Sequence, residues 1–171
     1  MEVLILKEAD CNEINFADRF RMAAIGHANA ANLVHQHLQR SNTSREDSTW
    51  VSLQNLIGLA AESALKAYLV SHDIPVANVR KHAVGHNLVV LHQMCMDVGL
   101  QGEQVRVNQN ELSDALGQIA NKLGTDHGDY NYRYIEGEKL MLLHAGPATD
   151  TAIAAIQALT DIVDQRIKES A

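Results

Sequence analysis

Apolar positions recur at three- and four-residue steps from about Asn15 to Gln39, where Phe16, Phe20, Ala23, His27, Ala30, Val34 and Leu38 line one side of a first helix. The polar stretch Arg40 to Thr43 interrupts it. Ser44 followed by Glu46 and Asp47 resembles a capping box, placing acidic side chains where a new helix exposes unpaired amides. A second helix is expected to run to about Ser71 with Trp50, Leu53, Ile57, Ala60, Ala64 and Ala67 as its seam. Leu56, Leu59 and Leu69 widen that apolar surface so far that both flanks need cover, which makes this the expected central helix.

Residues His72 to Gly85 read as a linker, because Pro75 and the terminal glycine oppose continued helix. Asn87 is placed to cap a third helix, Leu88 to Val98, and Gly99 to supply its left-handed C-terminal cap. A fourth helix is predicted from near Asn108, with Glu111 three residues on. Its face of Leu112, Ala115, Leu116, Ile119, Ala120 and Leu123 is expected to stop at Gly124. Between Thr125 and Pro147 the periodicity breaks down into an aromatic and polar segment followed by the apolar run Leu140 to Leu143. That segment reads as an ordered loop with a short hairpin, alone or paired with Val3 to Leu6, or as a frayed helix. A last helix from Thr149 or Asp150 carries Ile153, Ile156, Leu159, Val163 and Ile167 on one side. The expected architecture is all-α: one domain over residues 1–171, with a short N-terminal extension 1–14 and an up-and-down bundle of about five helices.

Composition supports helix. The 171 residues include 22 Ala and 19 Leu against 2 Pro, and 4% are aromatic, whereas a sheet protein calls for more β-branched and aromatic side chains. With 46% apolar and 20% charged residues the chain has enough apolar material to offset its conformational entropy, so disorder is not expected. A net charge of −7 gives no general attraction to nucleic acid, so any such contact must be local. No run of about 18 apolar residues occurs, so no membrane span is expected. Met1 to Lys7 lacks a basic leader and a cleavage site, and Cys11 and Cys95 form no CxxC pair; both features fit a cytoplasmic protein.

Glu62 and Lys66 lie one turn apart in the most apolar helix, in the order that favours an ion pair. They read either as an exposed pair or, given the flanking Ala60, Ala61, Ala64 and Leu65, as an inward carboxylate that needs a partner. His82 and His86 have a helical metal-ligand spacing, but Gly85 intervenes, no Glu follows the first His and no third ligand is evident. Neither metal nor cofactor is therefore expected. His35 and His37 point to different helix faces and read as isolated surface residues, whereas His27 falls on the apolar stripe. Arg133 lies between Tyr132 and Tyr134, with Tyr130 and His127 close by. Such a group can stack a base and pair a phosphate, or anchor a loop over the bundle.

Taken together, Ala60-Ala-Glu-Ser-Ala-Leu-Lys-Ala-Tyr-Leu69, His86-Asn-Leu-Val-Val-Leu91 and Arg133-Tyr134 resemble the HEPN (higher eukaryotes and prokaryotes nucleotide-binding) domain family, over roughly Phe16 to Lys168. The resemblance implies a helical bundle, a homodimer, a nucleotidyltransferase-like partner and a place in toxin–antitoxin or defence modules. Many members are metal-independent endoribonucleases in which an Arg precedes a His by a short gap. Here Arg80 and His86 satisfy that count, although Arg80 lies in the predicted linker instead of at a helix end. In this pairing His moves the 2′-hydroxyl proton and Arg stabilises charge on the scissile phosphate. Glu62, Lys66, Arg133 and Tyr134 are the expected ligand-binding residues. The alternatives are a non-catalytic module that binds RNA or a nucleotide and acts through a partner protein, and a purely structural helical dimer.

Overall fold

The computed structural model of the chain describes residues 13–41, 48–128 and 147–170, and these are mostly helical. Among the described residues five long helices carry the fold: α1 (Glu13–Ser41), α2 (Ser48–Ser71), α5 (Leu88–Asp97), α6 (Leu112–Gly128) and α7 (Pro147–Glu169). Two single turns, α3 (Val76–Val79) and α4 (His82–Gly85), occupy what the sequence reads as a linker. Pro75 immediately precedes the first of these, where its missing N–H costs nothing.

The second helix is central, packing against α1, α5, α6 and α7. All six of its seam residues are buried, and from Ala60 to Val70 only Ser63 is more than slightly exposed. Burying each large side chain here, such as Leu53, Ile57 or Leu65, contributes about 1.5–3 kcal/mol. α1 is rotated from the expected stripe. Its buried positions are Ala17, Ala24, Ala28, Ala31, His35 and Leu38, while Phe16, Phe20 and Val34 are half-buried at the flank and Ala23 is exposed. Alanines admit a close approach to α2 that phenylalanines at the same positions would block. The rotation also overturns the surface reading of His35, which is 1% exposed, with Nε2 3.1 Å from Asp150 Oδ1 of α7. His27 is half-buried, not in the core.

Asn87 caps α5 as expected, its side chain accepting from the Val90 amide at 3.1 Å, and Gly99 adopts φ 112° beyond the helix end. The fourth long helix starts later than predicted. Asn108 and Gln109 take positive φ values of 47° and 74° in the turn of a small antiparallel hairpin, β1 (Arg106–Val107) and β2 (Asn110–Glu111), with Arg106 opposite Glu111. Asn tolerates that left-handed turn geometry, so here it marks a hairpin and not a helix start. α6 also runs on to Gly128, past Gly124, whose added Cβ would lie 3.0 Å from Val89 Cγ2. This glycine brings α5 and α6 together and does not end the helix. α7 begins at Pro147, two or three residues before the expected Thr149 or Asp150; proline's fixed φ suits a first helical residue. The proposed Ser44 capping box, the Val3 to Leu6 segment, Cys11 and the Tyr130 to Tyr134 cluster lie outside the described residues. Among the described residues no helix is long and apolar enough to cross a membrane.

Candidate functional site

The apolar run of α2 carries Glu62 and Lys66 into the interior, where each is 7% exposed. A carboxylate out of water requires partners, and this one has three. Lys66 Nζ donates to Glu62 Oε1 at 2.5 Å. The other oxygen, Oε2, accepts from His127 Nε2 at 2.6 Å and from His86 Nδ1 at 3.2 Å. Burial alone would raise the Glu62 carboxyl pKa. The hydrogen bonds from His127 and Lys66 and their positive charges outweigh it and hold the group down at about 2. The sharper of the two sequence readings of Glu62 is therefore the one the fold adopts.

His127 reaches the site because α6 continues beyond Gly124. It extends the stripe of Leu116, Ile119, Ala120 and Leu123 by one more turn, and it is 4% exposed. Its ring packs on Gly58, one turn before Glu62, where an added Cβ would meet Nδ1 at 2.5 Å. Continuing the four-residue step from Leu123 would have pointed to His127; the expectation of a stop at Gly124 concealed it.

His86 follows α4 directly, and Asn87 next to it caps α5, so its backbone is set from both sides. Its side chain is 39% exposed. As the carboxylate can only accept, the shared hydrogen lies on His86 Nδ1.

Arg80 is the residue that closes α3, with φ −98° and ψ −7°, so it does stand at a helix end. Its carbonyl lies 3.4 Å from where a Cβ on Gly85 would be, so the chain from Arg80 to His86 folds into a tight double turn. The Arg80 guanidinium itself lies over the Phe16 ring, 5.5 Å from the centroid, and makes no hydrogen bond to His86 among the described residues. One turn along α1, Phe20 lies beneath Lys66 Nζ at 5.9 Å.

The structure thus brings Glu62, Lys66, His86 and the unpredicted His127 together, with Arg80 on the neighbouring turn. Arg133 and Tyr134 fall outside the described residues. His82 is exposed, and among the described residues no group of three or more His, Cys, Asp or Glu side chains is arranged to hold a metal ion. A cavity of about 520 Å³ lies elsewhere, beside the Asn108 to Asn110 turn, Lys122 and Asp150, and no member of the Glu62 cluster lines it. Comparison of the chain with protein-family models, curated proteins and solved structures finds no match.

The geometry is suited to proton transfer. A buried anion fixes one nitrogen of a half-exposed imidazole, so the orientation of the ring that would give or take a proton is set, and Arg80 closes the turn that precedes it in the chain.

Proposed function

We propose that this protein is a HEPN-like, RNA-interacting endoribonuclease that works without a metal ion, with His86 as its acid–base group and Arg80 as its charge-stabilising group. The observation that carries this reading is the His86 Nδ1 contact with the buried Glu62 carboxylate. In the reaction, His86 removes the 2′-hydroxyl proton, the 2′-oxygen attacks phosphorus as the bond from phosphorus to the 5′-oxygen breaks, the 5′-oxygen takes a proton from water, and the proton held on His86 returns to solvent. Arg80 compensates charge on the non-bridging oxygens, and the products are a 2′,3′-cyclic phosphate and a 5′-hydroxyl. Glu62 and His127 are positioning residues, since they act through His86. A helical-bundle homodimer, a nucleotidyltransferase-like partner and a toxin–antitoxin or defence role belong to the same reading, as does the assignment of Lys66, Arg133 and Tyr134 to ligand binding. Met22 and Leu33 of α1, exposed at 56% and 69%, offer an apolar surface for such an association.

The test is cleavage of single-stranded RNA with chelator present. His86→Ala is expected to lower the rate about 10²–10⁴-fold, the usual contribution of positioned acid–base groups, and a 2′-deoxy substrate should resist cutting. Unchanged cutting by His86→Ala would discredit the assignment.

A second reading is favoured by the closure of the cluster: one Glu62 oxygen is already engaged by the buried Lys66 ammonium and the other by the buried His127 ring. It takes the protein as a non-catalytic module that binds RNA or a nucleotide and acts through a partner. Titration with nucleotides and short RNA should then show heat of binding but no cleavage product.

A further inference from the structure

We infer that the cavity between the β1–β2 turn, α6 and the start of α7 is a second ligand site, separate from the Glu62 cluster, that takes a small zwitterion of the amino-acid class. Its volume of about 520 Å³ is that of a small-molecule site. Ala115, Ile119 and Ala152, all buried, give it an apolar side. The carboxamides of Gln109 and Gln118 face it without a hydrogen-bond partner among the described residues, and two opposite charges, Lys122 and Asp150, complete the lining.

Those charges decide the ligand. Lys122 belongs to α6 and Asp150 to α7, and they line one cavity without pairing with each other; Lys122 makes no ion pair among the described residues. Asp150 is held from behind by His35, which is 1% exposed and places Nε2 3.1 Å from Asp150 Oδ1. A lone anion drawn in by Lys122 would meet the Asp150 carboxylate, and a lone cation would meet the Lys122 ammonium. A molecule with one charge of each sign is opposed by neither. Carboxamides both donate and accept, so they can bond its carboxylate, its ammonium or a peptide group.

The turn keeps polar side chains at this edge against the preference of its backbone. Asn108 and Gln109 take φ values of 47° and 74° in a two-residue turn whose second position favours glycine. Gln109 forgoes that ease and presents a carboxamide to the cavity, and strain of this kind gathers at ligand sites. Asn108 Nδ2 donates to Thr151 Oγ1 at 3.2 Å, which ties the turn to the helix that bears Asp150.

The experiment titrates the full chain by calorimetry with L-leucine, whose side chain suits the apolar wall, and with L-alanyl-L-leucine. The tighter binder is then tested as its N-acetyl form, which lacks the cation, and as its C-terminal amide, which lacks the anion. The parent is expected to bind a zwitterion with a Kd of about 1 mM or tighter. Each blocked form should bind about tenfold more weakly, the least that a hydrogen bond to a charged group contributes. Lys122→Gln should remove the preference over the amide, and Asp150→Asn the preference over the N-acetyl form. Lys122 is exposed and Gln is a good helix former, so Lys122→Gln should melt with the parent and carries the test if Asp150→Asn loses stability with its His35 contact. No heat from either zwitterion at about 10 mM would overturn the site. Equal binding of a blocked form by the parent would overturn it in favour of a pocket for a single charge. Zwitterion binding left unchanged by Lys122→Gln would overturn it by placing the ligand elsewhere.

Discussion

A single carboxylate organises the chemistry, because Glu62 cannot be ionised in the interior unless its partners stay in place. Its folded pKa, about 2, lies below its ordinary value of 4.5. Ionised Glu62 therefore stabilises the fold above about pH 4.5, and that stabilisation is lost as pH falls toward 2. A difference of this size corresponds to about 3 kcal/mol. Urea unfolding of the parent, compared with Glu62→Gln at a series of pH values from 7 to 2, should show this part of the acid sensitivity in the parent only. Glu62→Ala strands the buried ammonium of Lys66 and the His127 ring, and is expected to cost about 3–5 kcal/mol at pH 7, the range for a broken buried ion pair. A drop in the urea midpoint at constant slope would register it. A cost below about 1 kcal/mol would place the pair in the class of exposed surface ion pairs and refute the buried arrangement.

Helix pairs, in turn, decide whether that carboxylate is partnered. α6 delivers His127 to α2 only because position 58 has no side chain and position 124 lets α5 lie close. Gly58→Ala pits a helix-propensity gain of about 1 kcal/mol against overpacking of about 1–3 kcal/mol. The clash with the enclosed His127 ring is expected to win. The melting temperature should fall by about 2–4 °C for each kcal/mol lost, and the acid sensitivity assigned to Glu62 should shrink as His127 is displaced. A Gly58→Ala protein that melts higher than the parent would show that the ring yields freely. The hairpin before α6 and the cap of α5 are local devices of another kind. In the sequence Asn108 fits a helix start because Glu111 follows three residues on, but its φ of 47° serves a two-residue turn. Asn87 was legible because cap and apolar face adjoin in the chain.

Across the whole molecule, α7 packs against α1, α2 and α6. Ile153, Ile156, Leu159 and Val163 of α7 are buried in that contact. A chain ending at Gly128 should therefore expose the matching apolar faces. It is expected to bind a hydrophobic dye and to lose the cooperative thermal transition of the full chain, and a sharp two-state melt from the truncated chain would contradict this. Net charge acts at the same scale. At −7 the molecule repels nucleic acid in general, so the proposed RNA binding should depend on a few side chains near His86 and change steeply when one is removed.

The amino-acid sequence by itself determined that the chain is mostly helical, that α2 is apolar along its seam and both flanks, and where Asn87 and Gly99 bound α5. Those properties follow from near neighbours: a periodic stripe, a side-chain cap and a residue tolerant of left-handed backbone act within a turn or two. Only the tertiary structure decided that Glu62 is buried, that His127 joins it from 65 residues away, that His35 turns inward and that Arg80 rests on Phe16. A helix can be rotated by one residue at little cost to its local pattern, as α1 is. Which polar groups become enclosed then depends on the shapes of the helices packed against it, and periodicity within one segment carries no information about those shapes.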